Sequence, residues 1–134
     1  MPKFSRKSKE ILFTCEEDLQ VVMNDVVRIT DIKIISGLRG EEEQNYLFRM
    51  NLSKNMFPNS RHNSEVVGAL SEAVDIAPYP VNWKDLEKFY YVAGIVMGVA
   101  GMLGIELRWG GDWDQDDDLH DQTFMDLGHF ELVR

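Results

Sequence analysis

The chain has 134 residues, which suits one domain with a hydrophobic core and is too short for a catalytic domain plus a separate targeting domain. Its 23 acidic residues outnumber 14 basic ones, and the formal net charge of -9 argues against a nucleic-acid backbone as the main partner. Cys15 has no second cysteine to pair with, so the fold does not depend on an oxidising compartment. We therefore expect one monomeric domain, residues 1–134, with one functional site.

The first part of the chain carries the patterns of two helices and a strand. Thr14 and Glu17 form a capping-box pattern before apolar residues at helical spacing, which predicts a helix over about residues 15–28. The β-branched segment DIKIISG predicts a strand that ends at Gly37. In EEEQNYLFRM the acidic residues suit the first turn of a second helix, because the helix dipole favours negative charge there.

The rest of the chain predicts three strands and one long helix. Polar residues 51–70 predict a loop, and AVDIA then predicts a short strand. Asn82 is a candidate N-cap for a helix that runs to about Leu103, ends at Gly104 and carries a stripe of core residues. IELRW and HFELV predict strands on either side of the acidic loop GGDWDQDDDLHDQTF. The predicted fold class is α+β: a small, mainly antiparallel sheet with helices packed on one face.

No segment predicts export or stable insertion into a membrane. The first residues are basic, but no apolar run precedes Lys9 and Glu10, so we expect no cleavable signal and synthesis in a host cytoplasm. The longest uncharged apolar stretch, from Val92 to Ile105, is shorter than the roughly 20 residues that span a bilayer. We expect it to be a buried helix.

Two histidines and an aspartate lie in segments that suggest a metal site. His62 lies in SRHNSEVVGALSEAVD, which ends in Asp75, and His129 lies in DLGHFEL, shortly after Asp126. Spacing alone is weak evidence, because single histidines are usually structural or exposed. Asp75 strengthens the case, since a charged carboxylate in an apolar strand is costly unless it is paired or bound to metal. Two imidazoles and one carboxylate would leave a fourth zinc position for water, and a nearby acid could take the water's proton.

The motifs SGLRG with EQ, S-x-H, A-V-D, W-G-G-D-W and D-x-x-H-F-E-L follow one another in this order over nearly the whole chain. They resemble the zinc peptidases of the D-alanyl-D-alanine carboxypeptidase and L-alanyl-D-glutamate endopeptidase family, especially its single-domain phage endolysins. The resemblance implies three zinc ligands: His62, Asp75 and His129. It also implies that Asp126 is the general base and Arg39 the cation that stabilises the oxyanion. Ser60 would contact substrate or support the site, and Gln44 would support it.

Two departures from the family pattern affect these assignments. The spacing between His62 and Asp75 is longer than in the shorter family pattern, so the residues from Glu65 to Ser71 must loop out without moving the ligands. Many relatives carry proline where Gly128 stands, and we expect glycine there to loosen the turn that holds Asp126.

Alternate aspartates in the acidic loop suggest a calcium site, with a solvated charge run as the alternative. They are Asp112, Asp114, Asp116 and Asp118. The calcium pattern is incomplete, because Asp117 replaces the expected glycine and Thr123 replaces the bidentate glutamate. We expect His120, in the same loop, to be exposed rather than a fourth zinc ligand.

The sequence thus predicts a zinc-dependent peptidoglycan hydrolase, an endolysin that cleaves the L-alanyl-D-glutamate bond of the stem peptide with metal-bound water. It would act on the cell wall after something else permeabilises the membrane. The alternatives are a D-Ala-D-Ala carboxypeptidase, which uses the same metal machinery, a non-catalytic zinc-containing wall-binding module, and a calcium-binding interaction protein.

Overall fold

The computed structural model describes residues 2–118 and 126–134, and within them the chain forms four helices and four strands. The helices are α1 (Arg6–Leu12), α2 (Glu17–Ile29), α3 (Glu41–Arg49) and α4 (Leu86–Leu103). The strands are β1 (Ile32–Ser36), β2 (Ala73–Pro78), β3 (Leu107–Gly110) and β4 (Asp126–Leu132). They form one antiparallel sheet in the order β1-β2-β4-β3. The predicted α+β class with a small antiparallel sheet is confirmed.

Alternation along the strands gives the sheet an apolar face and a polar face. The apolar face carries buried side chains such as Ile76 in β2 and Phe130 in β4, which belong to one core cluster with residues of α2 and α4. Because successive side chains of a strand point to opposite faces, Asp75, His129 and Glu131 lie on the other side. The sheet therefore separates the helical core from a cluster of polar groups.

The first two helices differ from the prediction near their starts. The sequence pattern did not predict α1, a short segment in which Ser5 is the N-cap and its hydroxyl accepts a hydrogen bond from the Ser8 amide at 3.2 Å. The capping box predicted at the start of α2 does not form, because the Thr14 hydroxyl instead donates to the Ile11 carbonyl at 2.6 Å. Glu16 is the N-cap and makes no side-chain capping bond.

The long helix α4 begins later than predicted. Asp85 rather than Asn82 is its N-cap, and the Asp85 carboxylate accepts from the Lys88 amide at 3.3 Å. Gly104 ends the helix as predicted, in the left-handed conformation with a φ of 72°.

Only one face of α4 is buried, so the expectation of a buried helix holds for that face alone. Val96 and Ala100 are in the core, whereas Tyr91 is 61% and Met102 is 92% exposed. By length and composition alone, α4 could cross a membrane. A single helix of this kind is weak evidence for a membrane span, because core helices of soluble proteins pass the same test.

Candidate metal centre

Three side chains converge on the polar face of the sheet. Asp75 in β2 is paired directly with His129 in β4, and His62 reaches both from the loop between α3 and β2. The Asp75 Oδ1 atom lies 3.0 Å from His129 Nδ1 and 3.2 Å from His62 Nε2. The two imidazole nitrogens are 3.3 Å apart. The structure thus brings together the three ligands that the resemblance implied.

The spacing of these three atoms fits one face of a tetrahedral zinc site. Zinc binds imidazole nitrogen and carboxylate oxygen at roughly 2.0–2.2 Å, which places tetrahedral ligand atoms about 3.3–3.6 Å apart. The observed separations of 3.0 to 3.3 Å are within a few tenths of an ångström of that range. His62 and His129 are 1% and 6% exposed, so a shared cation would also compensate for burying these polar groups beside a carboxylate.

The loop that carries His62 fixes the orientation of its ring. His62 Nδ1 lies 2.8 Å from the Gly37 carbonyl oxygen, which can only accept, so Nδ1 carries a proton and Nε2 is the nitrogen that could bind a metal. Gly37 lies in a crowded position, where a Cβ atom would stand 2.4 Å from Thr14 Oγ1. The Ser60 hydroxyl accepts from the His62 amide at 3.2 Å. Ser60 therefore contacts the backbone of a candidate ligand, as a supporting residue would.

Arg39 holds the second oxygen of Asp75. Its Nη2 atom forms an ion pair with Asp75 Oδ2, and its Nε atom donates to Ser36 Oγ at 2.9 Å. The third contact of the guanidinium runs from Nη1 to Gln44 Oε1 at 3.3 Å. Arg39 also lines the cavity beside the three candidate ligands. These contacts fix its position, while its role as an oxyanion partner stays a prediction.

Gln44 connects this arginine with the cavity wall. The side chain is fully buried, and its Nε2 atom donates to Ser53 Oγ at 2.8 Å and to the Asn55 carbonyl at 2.7 Å. Its Oε1 atom also accepts from Asn63 Nδ2 at 3.3 Å. Gln44 thus links Arg39, the turn after His62 and the loop over residues 53–55.

The residues between His62 and Asp75 leave the site, as the longer spacing required. Val66 is 70% and Val67 is 101% exposed, so this part of the segment extends into solvent. The chain is anchored again at Ser71, whose amide donates to the Thr14 carbonyl at 2.8 Å. The insertion therefore leaves the ligand positions together.

Glu131 is a buried residue of the site that the sequence reasoning missed. Its Oε1 atom lies 2.8 Å from His129 Nε2, and its Oε2 atom lies 3.7 Å from Arg61 Nε and 3.5 Å from Arg108 Nη1. The signal was present in HFELV, because residues two apart in a strand share a face. Glu131 is also a charged residue in an apolar strand, the argument that drew attention to Asp75.

The titratable groups of the metal-free site shift one another strongly. Burial opposes ionisation of Asp75, but the charges and hydrogen bonds of His62 and His129 outweigh it and hold the Asp75 pKa well below its usual range. Burial disfavours charged His129 as well, but its hydrogen bonds to Asp75 and Glu131 prevail and raise its pKa to about 9. Burial and the neighbouring charge of Asp75 raise the pKa of Asp126.

Asp126 begins β4 and lines a cavity of about 210 Å³ together with the three candidate ligands. Trp113 lies in the same wall, with its ring centroid 5.2 Å from that of His129. Trp109 belongs to the core cluster. Asp126 therefore lies beside the three candidate ligands without belonging to their group.

Gly128 lies inside β4, so the expectation that it loosens a turn was wrong. A Cβ atom at this position would stand 2.2 Å from the Ile76 carbonyl oxygen. Glycine therefore allows close approach of β2 and β4 between Asp126 and His129.

The acidic loop brings some of its aspartates together. Carboxylate oxygens of Asp112, Asp114 and Asp116 lie within 4.8 Å of one another, an arrangement that exposed acidic groups often adopt without a metal. Beyond this proximity the calcium prediction gains no support. His120 and Thr123 lie outside the described residues.

Known proteins are similar to this chain in sequence and in fold. The sequence profile of the phage L-alanyl-D-glutamate peptidase family matches residues 1–133. The L-alanyl-D-glutamate peptidase of Escherichia phage T5 is 33% identical over an alignment of 141 positions. The alignment covers 98% of this chain and 98% of that protein. Among solved structures, the Serratia marcescens L-Ala D-Glu endopeptidase ChiX matches with a TM-score of 0.73 and 25% identity, over 98% of this chain and 91% of its own.

Proposed function

Because the chain belongs to the phage L-alanyl-D-glutamate peptidase family, we propose that it is a zinc-dependent peptidoglycan endopeptidase acting on the L-alanyl-D-glutamate amide bond of the stem peptide. The observation that carries the proposal is the convergence of His62, Asp75 and His129 beside a separate acid, Asp126, in one cavity. Residues 1–134 would form one catalytic domain. The protein would act as an endolysin, as a monomer, on the cell wall once the membrane has been permeabilised.

In this proposal each residue of the site has a distinct task. His62, Asp75 and His129 hold the zinc ion, which when bound lowers the pKa of water towards 7 and polarises a carbonyl. Asp126 accepts the proton of the attacking water and delivers it to the leaving amine of D-glutamate. Burial raises the pKa of Asp126 in the metal-free site, and a base whose pKa lies nearer the working pH can both accept and return a proton.

Arg39 would act on the oxyanion that develops as the amide carbonyl is attacked. Its charge is fixed beside Asp75 at the cavity wall, and a preorganised cation needs no rearrangement at the moment of reaction. Ser60 and Gln44 would hold the loops that carry His62 and Arg39, through the hydrogen bonds described above.

The test is digestion of purified peptidoglycan sacculi, with mass spectrometry of the released fragments. The expected products are stem peptides that begin with D-glutamate, and a zinc chelator should abolish their release. Asp126→Asn is the matched control, because it keeps the size of the side chain and removes its basicity. Loss of only a terminal D-alanine would support a carboxypeptidase instead. If the zinc-loaded protein bound sacculi and cut no amide bond, a binding module would replace the proposed enzyme.

A further inference from the structure

We infer that Glu131 is a positioning residue that determines which nitrogen of His129 faces the metal and holds the ring in that orientation. This inference rests on the proposed zinc-dependent function. His129 directs Nδ1 to the ligand cluster, 3.0 Å from Asp75 Oδ1, and directs Nε2 to Glu131 Oε1 at 2.8 Å. A carboxylate can only accept, so Nε2 carries a proton towards Glu131, and Nδ1 is the nitrogen that would exchange its proton for a metal ion.

The two oxygens of Glu131 have different partners. Oε1 contacts His129, while Arg61 Nε at 3.7 Å and Arg108 Nη1 at 3.5 Å both approach Oε2. The side chain is only 7% exposed, so these three partners define its position. The two arginines attract one oxygen away from the metal cluster and leave the other for the imidazole. Glu131 is thereby kept as a support of a ligand rather than becoming a ligand itself.

The two candidate histidine ligands are supported differently. His62 donates its outer proton to the neutral carbonyl of Gly37, whereas His129 donates to a carboxylate. A carboxylate partner makes imidazole a stronger metal ligand and restricts rotation of its ring, and removal of such a partner typically weakens metal binding. His129 would therefore depend on its outer partner for metal affinity more than His62 does.

The experiment measures zinc affinity of the full chain by competition with a chromophoric chelator, for wild type, Glu131→Gln and Glu131→Ala. Glu131→Ala removes the acceptor and should weaken zinc binding roughly 10- to 100-fold. Glu131→Gln keeps an acceptor oxygen without the charge, so its affinity should lie between those of wild type and Glu131→Ala. Glu72→Gln is the matched control, because Glu72 pairs with the same Arg61 at 3.4 Å but is 40% exposed. Its zinc affinity should stay within about twofold of wild type.

A second readout separates positioning from general support of the fold. Cobalt-substituted protein reports the ligand geometry through its visible absorption, which should change in Glu131→Ala and be largely restored in Glu131→Gln. Unchanged zinc affinity and cobalt spectra in both variants would overturn the inference while leaving the proposed function intact. An affinity loss matched by an equal loss of metal-free stability, with an unchanged cobalt spectrum, would also overturn it. A wild-type protein that binds no zinc would instead overturn the metal centre itself.

Discussion

Replacing Asp126 with alanine should separate catalysis from metal binding. Asp126 lines the cavity but is not in the group formed by the three candidate ligands, so the variant should keep its zinc and its fold. General base catalysis is worth roughly 100- to 10,000-fold in rate. Two other acids line the described part of the cavity wall, Asp75 and Glu131. One is a candidate ligand, and the oxygens of the other already face His129 and two arginines.

Because the described cavity wall offers no second acid free to take its place, Asp126→Ala should lose activity near the upper end of that range. We expect a decrease of kcat/KM of about 1,000- to 10,000-fold, which corresponds to about 4–5.5 kcal/mol of transition-state stabilisation. The assay is hydrolysis of a soluble stem-peptide fragment, with zinc content measured on the same samples. His62→Ala is the comparison variant and should lose zinc together with activity.

The pH profile gives a further test of the same reasoning. A base works only when deprotonated, so wild-type kcat/KM should fall as pH decreases through the pKa of Asp126. The residual activity of Asp126→Ala should lack this acidic limb. A zinc-free Asp126→Ala protein would show that the carboxylate is a ligand, and full activity would refute its role as the base.

Three other predictions concern the surroundings of the site. Arg39→Ala should lose roughly 100- to 1,000-fold in kcat and also bind zinc more weakly, because Arg39 pairs with a candidate ligand; unchanged zinc affinity in a chelator competition would contradict the second part. In the metal-free protein the His129 pKa is raised to about 9, so its stabilising effect is complete below an unfolded pKa of about 6.5 and is lost as pH rises through 9. The melting temperature of chelator-treated protein should therefore fall over that interval, and a flat profile would exclude this assignment. If the acidic loop binds calcium, activity or melting temperature should rise with added calcium, whereas a flat calorimetric titration to millimolar calcium would leave a solvated charge run.

The elements with strong local patterns were predictable from the sequence. The β-branched run before Gly37 and the apolar stripe before Gly104 indicated β1 and α4. In both segments the spacing of apolar residues identifies the type of element, and the glycine marks where it ends. Helix α1 was not predicted, because it is short and mostly polar. The start of α2 was misplaced because the Thr14 hydroxyl had a carbonyl partner in the preceding turn, a competition that sequence spacing does not reveal.

The candidate ligands were predictable, but the contacts that hold them were not. Asp75 stood out as a charge in an apolar strand, and His62 and His129 were candidates before the resemblance implied that all three are ligands. The pairing of Arg39 with Asp75 Oδ2 depends on the pairing of β1 with β2, which sets Ser36 opposite Asp75 and which no local pattern encodes. Glu131 could have been found in the same way as Asp75, because it is also a charged residue in an apolar strand and such a residue needs a partner.

Around the exposed segment at Val67, separation along the chain and separation in space differ greatly. His62 and Asp75 are 13 positions apart in the chain, yet the contacting atoms are 3.2 Å apart, and the intervening residues turn outwards. Because the chain is anchored again at Ser71, the segment can change length without altering where its ends lie. It is therefore a suitable attachment point for a fused targeting peptide or a fluorescent label. Its length could also change in evolution while the geometry of the two candidate ligands stays the same.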